Sequence, residues 1–272
     1  MPRKTLYVSD LDGTLLRNDA QISAYTSGVI NQLTSQGMLF SYATARSYIT
    51  ATKVTAGLNA KIPIIAYNGA VIMENDTHEI LAKTIFSEEE KWDIFGELQK
   101  HTICPIVYSY IDEIEKFSFC YEACNVATKE FLQTRKGDIR ENSVAQIKEL
   151  VNGDVFYFTC IDTYEKLEPL YKKWKDTYHC IFQQDIYSGE QWLEIIPKHV
   201  SKANAILQVK ELLNVDYVVA FGDGMNDIEM FEVADECYAV ENAVDELKKI
   251  ATGIIGSNEE DGVARWLQER WK

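Results

Sequence analysis

Two carboxylates, Asp10 and Asp12, stand two residues apart directly after the apolar run Leu6-Tyr7-Val8, and Gly13-Thr14 follow them. The glycine lets the backbone turn sharply, and the pair offers amide and hydroxyl donors. A strand ending in paired carboxylates on a tight loop suits a hard cation and a phosphate better than it suits a core. Far downstream, Tyr217-Val218-Val219-Ala220-Phe221 runs in the same way into Gly222-Asp223-Gly224-Met225-Asn226-Asp227. Between them, Thr44 follows the apolar run Met38 to Ala43, and Lys202 stands at the start of a helical stretch. Carboxylates gathered in one small region repel one another unless a cation sits among them. Mg²⁺ answers that need, because it takes hard oxygen ligands and can accept a phosphate oxygen. A hydroxyl and backbone amides at the start of a helix make Thr44 an anion seat, and Lys202 can neutralise phosphate charge. The chemistry that fits is phosphoryl transfer to a carboxylate, followed by hydrolysis of the acyl-phosphate.

These residues need elements to bring them together. From Leu6 to Ile80 the pattern reads strand (6–8), helix (22–36, capped by Ser23 and stopped by Gly37), strand (38–43), helix (48–58) and strand (62–66). Alternation of this kind predicts a parallel sheet with crossover helices, covered on both faces. The middle reads differently. The capping-box spacing Ser87-Glu88-Glu89-Glu90 opens a helix to about Lys100, Ser143 is expected to open another, and a third spans 162–175. Strand-like runs lie at 106–111, 116–120, 155–160, 180–184 and 191–195, so the stretch 85–194 is expected to be an inserted α+β module on an antiparallel sheet. The parallel pattern then resumes with a helix (202–213), strand (217–221), helix to about Ala234, strand (237–240) and two further helices (244–250, 262–271). Domains of 1–84 plus 195–272 and of 85–194 follow. In an open parallel sheet, ligands bind beyond the carboxyl ends of the strands. That rule gathers Asp10, Asp12, Thr44, Arg46, Asn68, Asp223, Asn226, Asp227 and Asn242 along one rim.

Composition narrows the setting. The formal net charge of −15 disfavours nucleic acid and anionic membrane as partners, since both would repel the chain. No N-terminal run resembles a signal peptide and no apolar run nears the length of a membrane span, so a cytoplasmic protein is expected, a monomer or weak homodimer. The 6 cysteines form no metal-binding spacing and read as reduced structural thiols. Asp10 and Asp12 do not open a calcium loop, because its sixth and twelfth positions would be Leu15 and Gln21. The four histidines share no spacing. The aromatics of the insertion (Tyr108, Tyr110, Phe156, Tyr157, Phe158, Trp192) alternate at strand spacing and read mostly as core.

Asp10-Leu11-Asp12-Gly13-Thr14, the Thr44 segment, Lys202 and Gly222-Asp223-Gly224-Met225-Asn226-Asp227 resemble the four motifs of the haloacid dehalogenase-type phosphatases. Order and spacing are similar to the Cof-like branch, and the resemblance covers essentially the whole chain. It implies an α/β fold: a doubly wound, Rossmann-like parallel-sheet core with an α+β cap inserted between the second and third motifs. It also implies roles. Asp10 would be the nucleophile. Asp12 would be general acid and then general base, with its backbone carbonyl on Mg²⁺. Leu11, Thr44, Ala45, Lys202 and Asn226 would hold the phosphate. Asp10 and Asp223 would also ligate the metal, with Asp227 beside them as a supporting or further ligand, and Arg46, Asn68 and Asn242 would line the rim. The cap would exclude water and read the leaving group. Three positions depart from the branch: Ala45 and Ala203 stand where glycine is common, and Val240-Glu241 where Met-Gly is common.

Lys198 competes with Lys202 for the basic role; the Ser-Lys-Ala step into a helix favours Lys202. Arg46 can equally pair with a surface carboxylate, and Asn68 before Gly69 is also a turn signal. The function expected is a Mg²⁺-dependent phosphatase acting on a small phosphorylated metabolite, with sugar phosphates, pyridoxal phosphate and flavin mononucleotide all open. The alternatives are a phosphomutase on hexose phosphates, which would use the same residues, and a receiver-like signalling protein phosphorylated on Asp10. Receivers are about half this length and would leave Asp12 without a role.

Overall fold

The computed structural model describes residues 4–58, 63–184 and 189–271. The chain begins with β1 (Thr5–Ser9), α1 (Ala24–Ser35), β2 (Leu39–Tyr42), α2 (Tyr48–Val54), β3 (Pro63–Ala66), β4 (Val71–Glu74) and β5 (Ile80–Lys83). It continues through α3 (Glu88–Lys100), β6 (Ile106–Ile111), β7 (Ile114–Phe119), α4 (Val126–Thr134), β8 (Glu141–Ser143), β9 (Asp154–Asp162), α5 (Tyr164–Trp174), β10 (His179–Gln184) and β11 (Gln191–Ile196). It ends with α6 (Lys202–Leu213), β12 (Tyr217–Gly222), α7 (Ile228–Val233), β13 (Glu236–Val240), α8 (Asp245–Ile250), β14 (Gly253–Ile255) and α9 (Gly262–Arg270). Two units result, Met1–Lys83 with Val200–Lys272 and Thr84–His199. The insertion ends at 199 rather than 194 because β11 runs to Ile196 and pairs with β10 and β9.

In the first unit, β14-β13-β12-β1-β2 form a parallel sheet. A parallel bridge from Ala43 to Ile65 carries the sheet on to β3, which heads the antiparallel set β3-β4-β5. Leu6, Val8, Val218 and Ala220 are fully buried. On the alternate face Trp266 of α9 packs edge-on against Tyr7 and Phe221, so both faces are covered, as apolar runs of this kind require. Helix α1 starts where Ser23 accepts a hydrogen bond from the Thr26 amide, and the chain turns after it at Gly37, φ +101°. Helix α2 stops at Val54 rather than Leu58, where Thr55 back-bonds to Ala51 and Gly57 takes φ +93°. Ile62, the first residue of the predicted third strand, lies outside the described residues.

The inserted unit carries the sheet β10-β11-β9-β6-β7-β8, antiparallel except where β8 joins β7. Val107, Phe158, Leu193 and Ile195 form its core with Ile94 and Leu98 of α3 and Leu167 and Leu170 of α5. The capping box at Ser87 and Glu90 is formed. The helix expected from Ser143 is absent. Ser143 ends β8, whose residues pair with β7, and only the short 3₁₀ turn Ile147–Val151 follows, capped by Gln146 and Glu149. Likewise α5 begins at Tyr164, because Asp162 still belongs to β9. Among the described residues no helix is long and apolar enough to cross a membrane.

Candidate active site

The topology puts the two acidic loops side by side. β1 lies between β2 and β12, and the chain leaves it toward β2 but returns to β12 on its other side, so the loops after β1 and β12 flank a topological switch point. The Asp10 amide donates to the Phe221 carbonyl at 2.9 Å, tying the first loop to the neighbouring strand. Gly13, at φ +84°, leaves room for Asp223: a Cβ there would stand 2.4 Å from Asp223 Oδ2. Thr14 Oγ1 donates to Asp223 Oδ1 at 2.6 Å. Asn242 Nδ2 donates to the Gly13 carbonyl at 2.7 Å, and its Oδ1 accepts from the Asn258 amide at 3.0 Å, so it ties the first loop to the loop after β13.

Lys202 occupies the centre. Ser201 caps α6 by accepting from the Asn204 amide, which makes Lys202 the first helical residue. Its Nζ lies 2.5 Å from Asp10 Oδ1 and 2.7 Å from Asp227 Oδ1, with all three side chains buried. Asp227 Oδ2 accepts from the amides of Asp223 and Gly224, at 3.0 Å each. Burial opposes the Lys202 charge, but Asp10 and Asp227 outweigh it and hold the ammonium above its ordinary range. Burial likewise pushes the Asp10 carboxyl up to about 8; Lys202 opposes that rise, and Asp227 and Asp223 add to it. Burial raises Asp223 as well. Lys198, the competing lysine, is exposed and donates to the Asp176 carbonyl instead.

Asp10, Asp223 and Asp227 each offer an oxygen within 4.8 Å of the others. Three carboxylates beside one ammonium leave two negative charges uncompensated, and burial makes both Asp10 and Asp223 resist ionising alone. The donor set, hard oxygens with a net charge of −2, fits a divalent cation. Asp12 is not in this group. It is half exposed, and Arg46 grips it with two hydrogen bonds of 2.7 and 2.6 Å, so the expected surface carboxylate for Arg46 is Asp12 itself.

The remaining residues divide between loops. Thr44 is buried; its amide donates to the Ile65 carbonyl and its Oγ1 accepts from the Arg46 amide at 3.1 Å. Ala45 beside it is exposed. The Leu11 carbonyl accepts from the amides of Leu15 and Leu16, coiling the first loop. Asn226 sits exposed on the 3₁₀ turn Met225–Asp227. Asn68 is buried and its amide donates to the Thr44 carbonyl at 2.9 Å. Thr14 and Ser201, met in the sequence as a hydroxyl donor and as the serine before Lys202, position Asp223 and α6, whereas Asn258, which braces Asn242, carried no sequence signal.

A family model for haloacid dehalogenase-like hydrolases matches residues 7–267. Two Bacillus subtilis proteins, each a 5-amino-6-(5-phospho-D-ribitylamino)uracil phosphatase, align over 97% and 96% of the chain at 28% and 27% identity, covering 96% of each relative. A crystal structure from Thermotoga maritima superposes with a TM-score of 0.80 at 26% identity, covering 100% of this chain and 98% of the other.

Proposed function

This chain belongs to the haloacid dehalogenase-like hydrolases and is a phosphatase of that family, and we propose that it hydrolyses small phosphorylated metabolites with Mg²⁺ through an aspartyl-phosphate on Asp10. The observation that carries the reading is the bridge of Lys202 between Asp10 and Asp227 beside Asp223, at the switch point of the sheet.

Asp10 supplies the nucleophile. One of its oxygens attacks phosphorus, the ester P–O bond breaks, and the departing alkoxide takes a proton from Asp12. Asp12, left as a carboxylate, removes a proton from water. The resulting hydroxide attacks the phosphorus, the bond from Asp10 to phosphorus breaks, and phosphate leaves with Asp10 and Asp12 restored. Lys202 favours the ionised Asp10 and faces the charge that gathers on the phosphoryl oxygens. Thr44 Oγ1, the amides of Leu11 and Ala45, and Asn226 hold that group. Asp10, Asp223 and the Asp12 carbonyl would hold the cation. Asp227, whose oxygens already accept from Lys202 and two amides, supports them. The cation, when bound, neutralises charge on the transferring phosphoryl group.

The test is hydrolysis of an aryl phosphate by the purified protein before and after chelation. Activity should fall by about 10²-fold or more on removal of divalent cations and return with added Mg²⁺. Full activity in excess chelator would contradict the proposed cation chemistry.

A further inference from the structure

The loop of residues 257–261 grips the chain that follows Asp10 and Asp12, and the mechanism gives it no part. Asn258, 3% exposed, spends both protons of its Nδ2 on that chain, donating to the Leu16 carbonyl at 3.0 Å and to Asn18 Oδ1 at 3.2 Å. Its backbone amide donates to Asn242 Oδ1 at 3.0 Å, and Asn242 Nδ2 donates in turn to the Gly13 carbonyl at 2.7 Å. One asparagine therefore holds the turn 13–16 at both ends, at Leu16 directly and at Gly13 through Asn242. Its neighbours reinforce the grip: Glu259 Oε1 accepts from the Asn18 amide and Asp261 Oδ2 from the Arg17 guanidinium, at 2.6 Å each. Asp261 is itself fixed, buried at φ +58° and accepting from the hydroxyls of Ser23 and Thr26. What the grip positions is Gly13. Asp223 lies against that glycine closer than any Cβ would allow, and Thr14, next in sequence, donates to Asp223 Oδ1 at 2.6 Å. The peptide bond entering Gly13 carries the Asp12 carbonyl. Two of the groups that would hold the cation are thus set by one turn, and that turn hangs on Asn258.

We propose that Asn258 is a positioning residue for the cation site, acting through Asn242 and Leu16 to keep Asp223 and the Asp12 carbonyl in coordinating range of one ion. The proposal rests on the metal-dependent phosphatase reading above. It makes Asn242 a strut to the first loop rather than a contact for substrate. Residues that orient metal ligands without touching the metal are worth about 10–100-fold in affinity, because a displaced ligand forfeits most of its bond to the ion. Without Asn258 or Asn242 the Gly13 carbonyl loses its anchor, and the wall against which Asp223 rests is free to shift.

The experiment reads Mn²⁺ binding by the free protein, from the paramagnetic resonance signal of unbound Mn²⁺, in the wild type, Asn258→Ala and Asn242→Ala. Beside it runs the Mg²⁺ dependence of aryl phosphate hydrolysis. Asn258 is buried and its loss can loosen the fold, whereas Asn242 is exposed and its loss removes the relay alone. Both variants should bind Mn²⁺ about tenfold or more weakly and need correspondingly more Mg²⁺ for half-maximal activity, then regain most of the wild-type kcat at saturating Mg²⁺. A merely structural brace would lower the melting temperature without moving the Mn²⁺ dissociation constant. A constant within about twofold of the wild type in Asn242→Ala, or a loss of kcat that excess Mg²⁺ does not restore, overturns the proposal. Failure of the phosphatase reading looks different: the wild type itself then neither binds Mn²⁺ nor hydrolyses the ester.

Discussion

Burying an ammonium strips it of hydration, and the loss is offset only when well-placed carboxylates replace the water. Lys202 has two, and removing it would leave Asp10 and Asp227 buried with like charge. This arrangement explains why Lys202 rather than Lys198 was legible from sequence: the serine cap fixes the first helical position, and that position points into the acidic cluster. The partner of Arg46 was not legible, because Asp12 lies in a different loop and only the sheet brings the two together. The Arg46 fork occupies both Asp12 oxygens and so fixes the side chain we propose as the proton donor; one of these bonds opens when that oxygen carries the proton. Arg46→Lys keeps the charge but loses the fork. It should lower kcat about tenfold for alkyl phosphates, whose leaving groups need the proton, and less for aryl phosphates. Equal losses on the two classes would show that Arg46 does not act through Asp12.

Elements with a complete local signal appear where the sequence puts them. Ser23, Ser87 and Ser201 each accept from a backbone amide at a helix start, and Gly37 marks a stop. Elements whose signal is incomplete were missed. Strands β4, β5 and β14 are only three or four residues long, and α4 is capped by Asn125 without an acidic partner three residues on. Ser143 misled because a capping pattern yields to strand pairing once β7 offers an edge. In the inserted unit β11 places Glu194 beside Tyr157, whose hydroxyl bonds to it, and burial pushes the Glu194 carboxyl up to about 7 despite that bond. A carboxyl raised in the folded state stabilises least where it must ionise. Stability is therefore full below its ordinary range near 4.5 and is lost as pH rises through about 7. Glu194→Gln should raise stability at pH 8 by about 1 kcal/mol, below the full linkage value because the side chain keeps some solvent contact, and change it little at pH 4. Denaturant melts at both pH values check this, and an equal effect at both would refute it.

Across the whole chain, the alternation of apolar runs was enough to foresee a parallel core interrupted by an antiparallel insertion, because buried strands and amphipathic helices have distinct periods. The strand-end rule put Asp10, Asp223 and Asp227 on one rim, but it also put Asp12 into the acidic cluster, where the structure instead pairs Asp12 with Arg46. What sequence could not supply were the close approaches: Gly13 against Asp223, Gly69 against Ser201, and the orphaned Asn68 oxygen, each set by packing between segments far apart in the chain. All of these surround Asp10, the carboxylate we propose takes and then releases a phosphoryl group. The most direct test is to acid-quench the protein during turnover of a phosphomonoester and analyse the peptide containing Asp10 by mass spectrometry. The account predicts a phosphoryl adduct on Asp10, absent in Asp10→Asn, together with a loss of turnover of about 10³-fold or more in that variant. Sustained turnover in Asp10→Asn, with no adduct on the wild type, would contradict it.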